Sequence, residues 1–422
     1  MKKITVIFAL FLGFSSKAQD LSTEFKNIEK KVIEWRRHFH QNPELSNREF
    51  KTGKKIAEIL TSFGIEIEEN VAKTGVVGLI KGTKKGKVVG LRADIDGLPV
   101  VERNDLPFKS VEKTKFLGKD VGVMHACGHD THIAILLGVA EILSKNRDKI
   151  NGTVKLIFQP AEEGAPEGEE GGAELMVKEG VLKNPDVDAI FGLHINSGTP
   201  VGQIKYRKGG IMAAAQTFTI KVKGKQSHGS RPWKGIDPIL VSAKIIDGLQ
   251  TIISREAELT KEGAVITVGK IDAGVRSNII PESATMIGTI RTLDYDMQKL
   301  INDRMKEMVP AIAKAYKAEA TIEIAKGVPI TFNNHDLVSQ MLPTLQRVAG
   351  KENVKNVNAV TGAEDFSFYA KEIPGFFFFL GGMTPGNTNP YPHHTPDFQI
   401  DESGLLLGVK TMTNLVFDYL NE

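Results

Sequence analysis

Short runs of consecutive apolar residues, rich in Val, Ile, Leu and Phe, recur along the chain at 76–80, 88–91, 154–158, 189–193 and 376–380. Longer stretches with a helical apolar period lie between them, as at 133–144 and 173–179. A strand that is apolar at nearly every position buries both faces. The alternation therefore predicts an α/β architecture, a mainly parallel sheet covered by helices on each side. The middle of the chain follows another rule. Residues 217–222 alternate polar and apolar side chains, and 264–271, 284–291 and 321–324 read as further strands. Two long helical patterns, 237–256 and 295–317, lie among them. This mixture predicts a separate α+β sandwich, 213–326, with one sheet face turned to solvent or a partner. It interrupts a first domain made of 19–212 and 327–422. A chain of about 400 residues is long for one core, which agrees with two domains.

The first 18 residues carry a different signature. Lys2 and Lys3 precede an apolar run, 4–14, too short to span a bilayer, and Ser16 and Ala18 supply small residues for cleavage. They read as a secretory signal peptide, so the mature protein is expected to be exported, to the periplasm or outside the cell. The formal charge of +3 falls to zero without Lys2, Lys3 and Lys17. No basic block is interleaved with aromatics, so nucleic acid is not an expected partner. No later stretch is long and apolar enough to make the membrane one.

Candidate chemistry begins with the only cysteine, Cys127, in Met124-His125-Ala126-Cys127-Gly128-His129-Asp130. An exported protein that uses cysteine for disulfides needs at least two. A lone thiol two residues from a histidine reads instead as a metal ligand. Several strand candidates run into polar, donor-rich residues: Arg92-Ala93-Asp94-Ile95-Asp96, Gln159-Pro160-Ala161-Glu162-Glu163-Gly164 and His194. The last apolar run leads through a loop to His393-His394-Thr395-Pro396-Asp397. Ligands of open α/β sheets gather outside the carboxyl ends of the strands. Loops at that edge would bring Cys127, His129, Glu163, His194 and His394 together. Thiolate, imidazole and carboxylate in one set suit zinc, manganese, cobalt or nickel better than calcium or magnesium. Adjacent carboxylates at the end of a buried strand repel and lose hydration unless a cation compensates. The pair also permits two roles: one carboxylate on the metal, and its neighbour as a general base on the attacking water.

These residues and their order resemble the aminoacylase/carboxypeptidase family of metal-dependent amidohydrolases. The branch that holds hippurate hydrolase, N-acyl-L-amino-acid amidohydrolases and indole-acetyl-amino-acid hydrolases is the most similar. Further markers are Leu91 to Pro99, Ser227-His228-Gly229, Asn278-Ile279-Ile280-Pro281 and Gly362-Ala363-Glu364-Asp365-Phe366. The resemblance spans the mature chain and implies a catalytic domain of zinc-exopeptidase type with an inserted lid that dimerises. It implies that Cys127, His129, Glu163, His194 and His394 bind a pair of divalent metals, with the Cys127 sulfur bridging. Glu162 would be the base, and Asp96 the carboxylate that orients a ligand or the base. Asp94 stands where more distant relatives place a metal histidine and is left outside the ligand set. His228 matches a lid histidine that, in relatives, reaches the substrate carbonyl oxygen, often across the dimer. Asn278, Arg276 and Arg291 would hold the substrate's free carboxylate.

The other histidines read as structural: His38 and His40 as packing or capping groups of an N-terminal helix, His132 as a hydrogen-bonding group. The expected activity is hydrolysis of N-acyl-L-amino acids, such as N-acetyl or benzoyl derivatives, to a carboxylate and a free amino acid. An exported carboxypeptidase or dipeptidase acting on short peptides is the alternative, because the scissile bond is an amide in both. A non-catalytic metal binder would have no use for a free Glu162. The chain has no Gly-x-Ser-x-Gly elbow and no deaminase signature.

Overall fold

The protein is described here by a computed structural model covering residues 21–421. The expected signal peptide, 1–18, lies outside the described residues. Among the described residues no helix is long and apolar enough to cross a membrane.

An eight-stranded sheet forms the larger layer. Its order is Glu66–Val71, Gly75–Lys81, Asn151–Gln159, Lys84–Asp94, Ala189–Pro200, Gly375–Met383, Ile204–Tyr206 and Val354–Asn356. The four strands from Asn151–Gln159 to Gly375–Met383 are mutually parallel. The flanking pairs made by Gly75–Lys81 and Ile204–Tyr206 with them are antiparallel. The run Phe376 to Leu380 shows why the central strands are apolar throughout. Phe376, Phe378 and Leu380 pack into one buried cluster, with the helices Ser22–Gln41, His129–Lys145 and Leu405–Asn421. Phe377 and Phe379 pack into another, with the helices Gly172–Lys178 and Ser367–Glu372. Alternate side chains thus serve opposite cores.

Near the carboxyl ends the second face changes character. Arg92, Asp94 and Gln159 replace apolar residues there, yet all three are buried. They are paired with one another: Arg92 donates to Gln159 at 2.8 Å and to Asp94 at 2.6 Å. Burial of such groups is tolerable only because each is satisfied.

The middle of the chain forms a second sheet, ordered Ala264–Ala273, Ser283–Thr292, Ala214–Lys223, Glu319–Ile324 and antiparallel throughout. The helices Pro238–Thr251 and Tyr295–Ala315 cover one face through Phe218, Ile220, Ile266, Met286 and Ile290. Ala215, Val265, Thr267, Thr289 and Arg291 lie on the other face and line a cavity of about 1000 Å³. The opposite wall of that cavity is the carboxyl edge of the large sheet. The result is a larger α/β layer and a smaller α+β sandwich that share one cavity.

Candidate metal centre

Backbone geometry at three loops delivers the donors. Gly128 has φ 95° and precedes the helix His129–Lys145. A Cβ there would stand 2.4 Å from Cγ2 of Ile195, so only glycine fits. This turn leaves Cys127 on one side and His129, the first helical residue, on the other. Ala161 has φ 53° and His394 has φ 61°, conformations that L side chains adopt rarely. The first turns Glu162 and Glu163 out of the sheet and into the cavity; the second does the same for His394. His194 needs no turn. It belongs to the strand Ala189–Pro200, in register with Phe379.

The five expected ligands come together. Cys127 Sγ lies 3.3 Å from His194 Nε2 and 3.2 Å from His394 Nε2. His394 Nε2 lies 3.0 Å from Glu163 Oε1, and His129 Nε2 lies 4.0 Å from the same oxygen. Two donor triads result, Cys127/His129/His194 and Cys127/Glu163/His394, each with its donor atoms within 4.8 Å of one another. The cysteine belongs to both. Two tetrahedral ligands about 2.1 Å from an ion stand roughly 3.4 Å apart, the spacing seen here. His129 Nε2 is buried without a hydrogen bond and lies 3.7 Å from Asp94, 3.8 Å from Glu162 and 4.0 Å from Glu163, a nitrogen that a cation in the cage would engage. The residues present fit a pair of divalent metals.

Neighbouring groups hold these donors in place. His129 Nδ1 faces the backbone oxygen of Asp96 at 2.9 Å and its carboxylate at 3.2 Å, which directs Nε2 at the cage. Asp96 in turn accepts from Ser46 and from the Glu163 backbone, at 2.7 and 3.0 Å. His194 Nδ1 is occupied by the Ile195 carbonyl at 2.6 Å. His393 and His394 both approach the Cys127 sulfur, His393 Nδ1 at 3.7 Å and His394 Nε2 at 3.2 Å, but their other partners differ. The Ser197 N–H donates to His393 Nε2 at 3.2 Å and His393 Nδ1 faces the Cys127 carbonyl at 3.2 Å, whereas His394 Nε2 is turned to Cys127 and Glu163. His132 bonds Asp94 and the Ile195 N–H through its two nitrogens. Asp94 is therefore held between Arg92 and His132. His40 is more than a cap: it is buried, 2.9 Å from Asp130 and 3.1 Å from Glu102.

Charges around Glu162 are crowded. Glu162, Glu364 and Asp365 place carboxylate oxygens within 4.8 Å of one another. Burial, then the charge of Glu364, hold Glu162 well above the usual carboxylate range. Glu364 is pushed up to about 8 by burial, against the pull of Arg92. One oxygen of Glu364 accepts from Arg92 at 2.9 Å and from the Phe366 N–H at 2.9 Å; the other, buried, has no partner. Burial, then Glu163 and Glu162, raise the Cys127 thiol far above its ordinary value. A cation in the cage is what would release these protons.

The lid residues divide. Arg291 lines the cavity. His228, Asn278 and Arg276 are exposed and outside its lining. His228 and Asn278 sit on a two-stranded ribbon, Ser227–His228 against Ile279–Ile280, where the Gly229 N–H donates to the Asn278 carbonyl at 2.8 Å. Glu364 and Asp365 stand beside Glu162, and Arg92 reaches both; the sequence reading gave the three no role. Gly362 to Phe366 was singled out as a motif, but nothing in its composition says that it folds beside Glu162.

Residues 90–418 match the model of peptidase family M20/M25/M40. The chain is 42% identical over 406 residues to a thermostable carboxypeptidase 2 of Saccharolobus solfataricus, covering 96% of this chain and 99% of that one. It is 36% identical to an N-acetyl-L-cysteine deacetylase of Bacillus subtilis, covering 94% and 89%. A solved Bacillus subtilis structure described as a dinuclear metal binding peptidase of the M20 family is 35% identical, with a TM-score of 0.78 over 94% of this chain and 99% of that one.

Proposed function

The chain belongs to peptidase family M20/M25/M40, and from that premise we propose that it is a metal-dependent amidohydrolase cleaving N-acyl-L-amino acids to a carboxylate and a free amino acid. One observation carries the reading: Cys127 Sγ is common to two donor triads, and a further carboxylate, Glu162, stands beside them, 3.8 Å from His129 Nε2. The deacetylase similarity supports the substrate class.

Cys127, His129 and His194 would hold one divalent cation; Cys127, Glu163 and His394 would hold the other. Zinc, manganese, cobalt or nickel fits these donors. Bound there, the ions supply water acidification and polarisation of the scissile carbonyl. The chain's own groups do the rest. Asp96 keeps His129 in one orientation. Glu162 takes a proton from the attacking water and delivers it to the leaving nitrogen. Arg291 takes the free carboxylate of the substrate from the lid side.

His228, with Asn278 and Arg276, is proposed to complete the site from the ribbon of a second copy of this chain. The imidazole would donate to the carbonyl oxygen as it gains charge. A homodimer through the lid follows from that assignment. Export is proposed on the leader pattern of residues 1–18 alone.

A second reading, carboxypeptidase or dipeptidase, is favoured by the 42% identity to the thermostable carboxypeptidase. A panel assay separates the two. The purified mature protein, supplied with zinc, manganese or cobalt, is given N-acetyl, N-benzoyl and indole-acetyl amino acids alongside dipeptides and longer peptides. Higher kcat/KM on the N-acyl amino acids is expected. Turnover confined to peptides would replace this reading with the second.

A further inference from the structure

Two cations face the cavity without a counter-ion. Arg291 enters from the lid sheet and Lys205 from the strand Ile204–Tyr206 of the large sheet. Among the described residues neither has a carboxylate within ion-pair distance. Two other lysines do have partners. Lys31 pairs with Glu141 at 2.8 Å, and Lys155 donates to the carbonyls of Val181, Lys183 and Pro185. Lys205 is half-buried and has neither kind of partner.

Its place in the sheet is fixed by register. Phe379 pairs with the proposed ligand His194 on one side and with Lys205 on the other. Residues in one row of neighbouring strands share a face, and all three line the cavity. Strands about 4.8 Å apart put Lys205 roughly 10 Å from His194, backbone to backbone. That is too far to reach a carbonyl held at the donor cage. It suits a group several bonds further along the substrate. Phe379, Val357, Val360 and Met212 line the cavity with Asn358, and Lys355 pairs with Lys205 in the next strand, so an anion arriving there would meet positive charge.

We propose that Lys205 anchors a second carboxylate, and that the preferred substrates are dianionic N-acyl-L-amino acids. This rests on the amidohydrolase reading, and it assigns the first carboxylate to Arg291. The second stands either on the amino-acid side chain, as in N-acyl-glutamate, or at the far end of the acyl group, as in N-succinyl derivatives. Both offer the ammonium group the same charge-assisted hydrogen bond.

The test uses isosteric pairs on the full-length mature enzyme with metal. N-acetyl-L-glutamate is compared with N-acetyl-L-glutamine, and N-succinyl-L-alanine with its terminal amide. At least one acid is expected to exceed its neutral partner in kcat/KM by about tenfold or more, mainly through KM; which pair responds identifies the end recognised. Lys205→Met should bring that ratio toward one, and Lys205→Arg should keep most of it. A ratio within one protein cancels any loss of active enzyme. Calorimetry on the metal-free protein should show the same acid-over-amide preference in binding. Equal cleavage of both members of each pair, or a preference that survives Lys205→Met, overturns the anion subsite and leaves the amidohydrolase reading standing. No cleavage of any N-acyl amino acid overturns both.

Discussion

At the scale of single residues, Glu162 and Cys127 carry different burdens, and two substitutions separate them. Glu162→Gln keeps the size of the side chain and removes an ionisable group crowded against Glu364, so the fold and the metal content should persist. Removing the only group that moves the proton should lower kcat by about 100-fold or more; near-normal turnover in a fully metallated variant would refute the base assignment. Cys127→Ala should do the reverse and act first on the metal. It deletes the donor common to both triads, so elemental analysis should find less than the wild-type metal per chain. Unchanged stoichiometry would take the sulfur out of the site. Single residues were also where sequence reading met its limit. Which of His393 and His394 faces the cage depends on one left-handed backbone conformation, at His394, that no local pattern announces. Glu364 and Asp365 were visible as a motif, but their closeness to Glu162 depends on Arg92, some 270 positions away, which reaches both. Lys205 lies in a three-residue strand too short to carry any periodicity.

At the scale of elements the apolar pattern was far more legible, because two-sided burial leaves a continuous signature. The runs 76–80, 88–91, 154–158, 189–193 and 376–380 each fall inside an observed strand. Their ends were not legible. The strand Ala189–Pro200 continues well past His194, through polar residues whose pairing with Gly375–Met383 is a tertiary fact. The helix expected over 237–256 is an α-helix to Thr251 and a wider π turn beyond it. The ribbon that carries His228 raises a functional question at this scale, since it is exposed and apart from the cavity. If a second copy's ribbon completes the site, His228→Ala should lower kcat by about 100-fold with a smaller change in KM. Mixing that variant with Glu162→Gln, each impaired alone, should then restore activity. A mixed dimer would hold one site with both groups intact. Failure of the mixture to recover activity, with exchange of chains verified by mass, would confine His228 to its own subunit or remove it from the reaction.

At the scale of the whole molecule, the catalytic edge is a store of unfavourable charge that a cation would neutralise, and this makes stability depend on pH. Burial, then Asp96, push Glu49 up to about 8; burial pushes Glu364 to about 8 despite Arg92. His129 is raised to about 10: burial opposes its charge, but Asp94, Asp96 and Glu163 outweigh it. His125 and His393, lowered to about 4 chiefly by burial, are neutral above the ordinary imidazole value in folded and unfolded chains alike. So between about pH 6.5 and pH 8 the metal-free folded protein holds protons on Glu49, Glu364 and His129 that the unfolded chain has released. Stability must then fall as pH rises across that window, by on the order of 1 kcal/mol per pH unit for each such proton. Metal works in the opposite sense. Its ligands must be deprotonated, so affinity, and with it the stabilisation of the folded state, should grow with pH. Melting curves of chelator-treated protein should therefore show Tm declining from about pH 6.5 to pH 8. The gain in Tm on adding zinc or manganese should widen over the same interval. A metal-free Tm that is flat or rising there would mean that the crowded carboxylates are relieved by something other than a cation, and the cage would lose its physical reason to bind one.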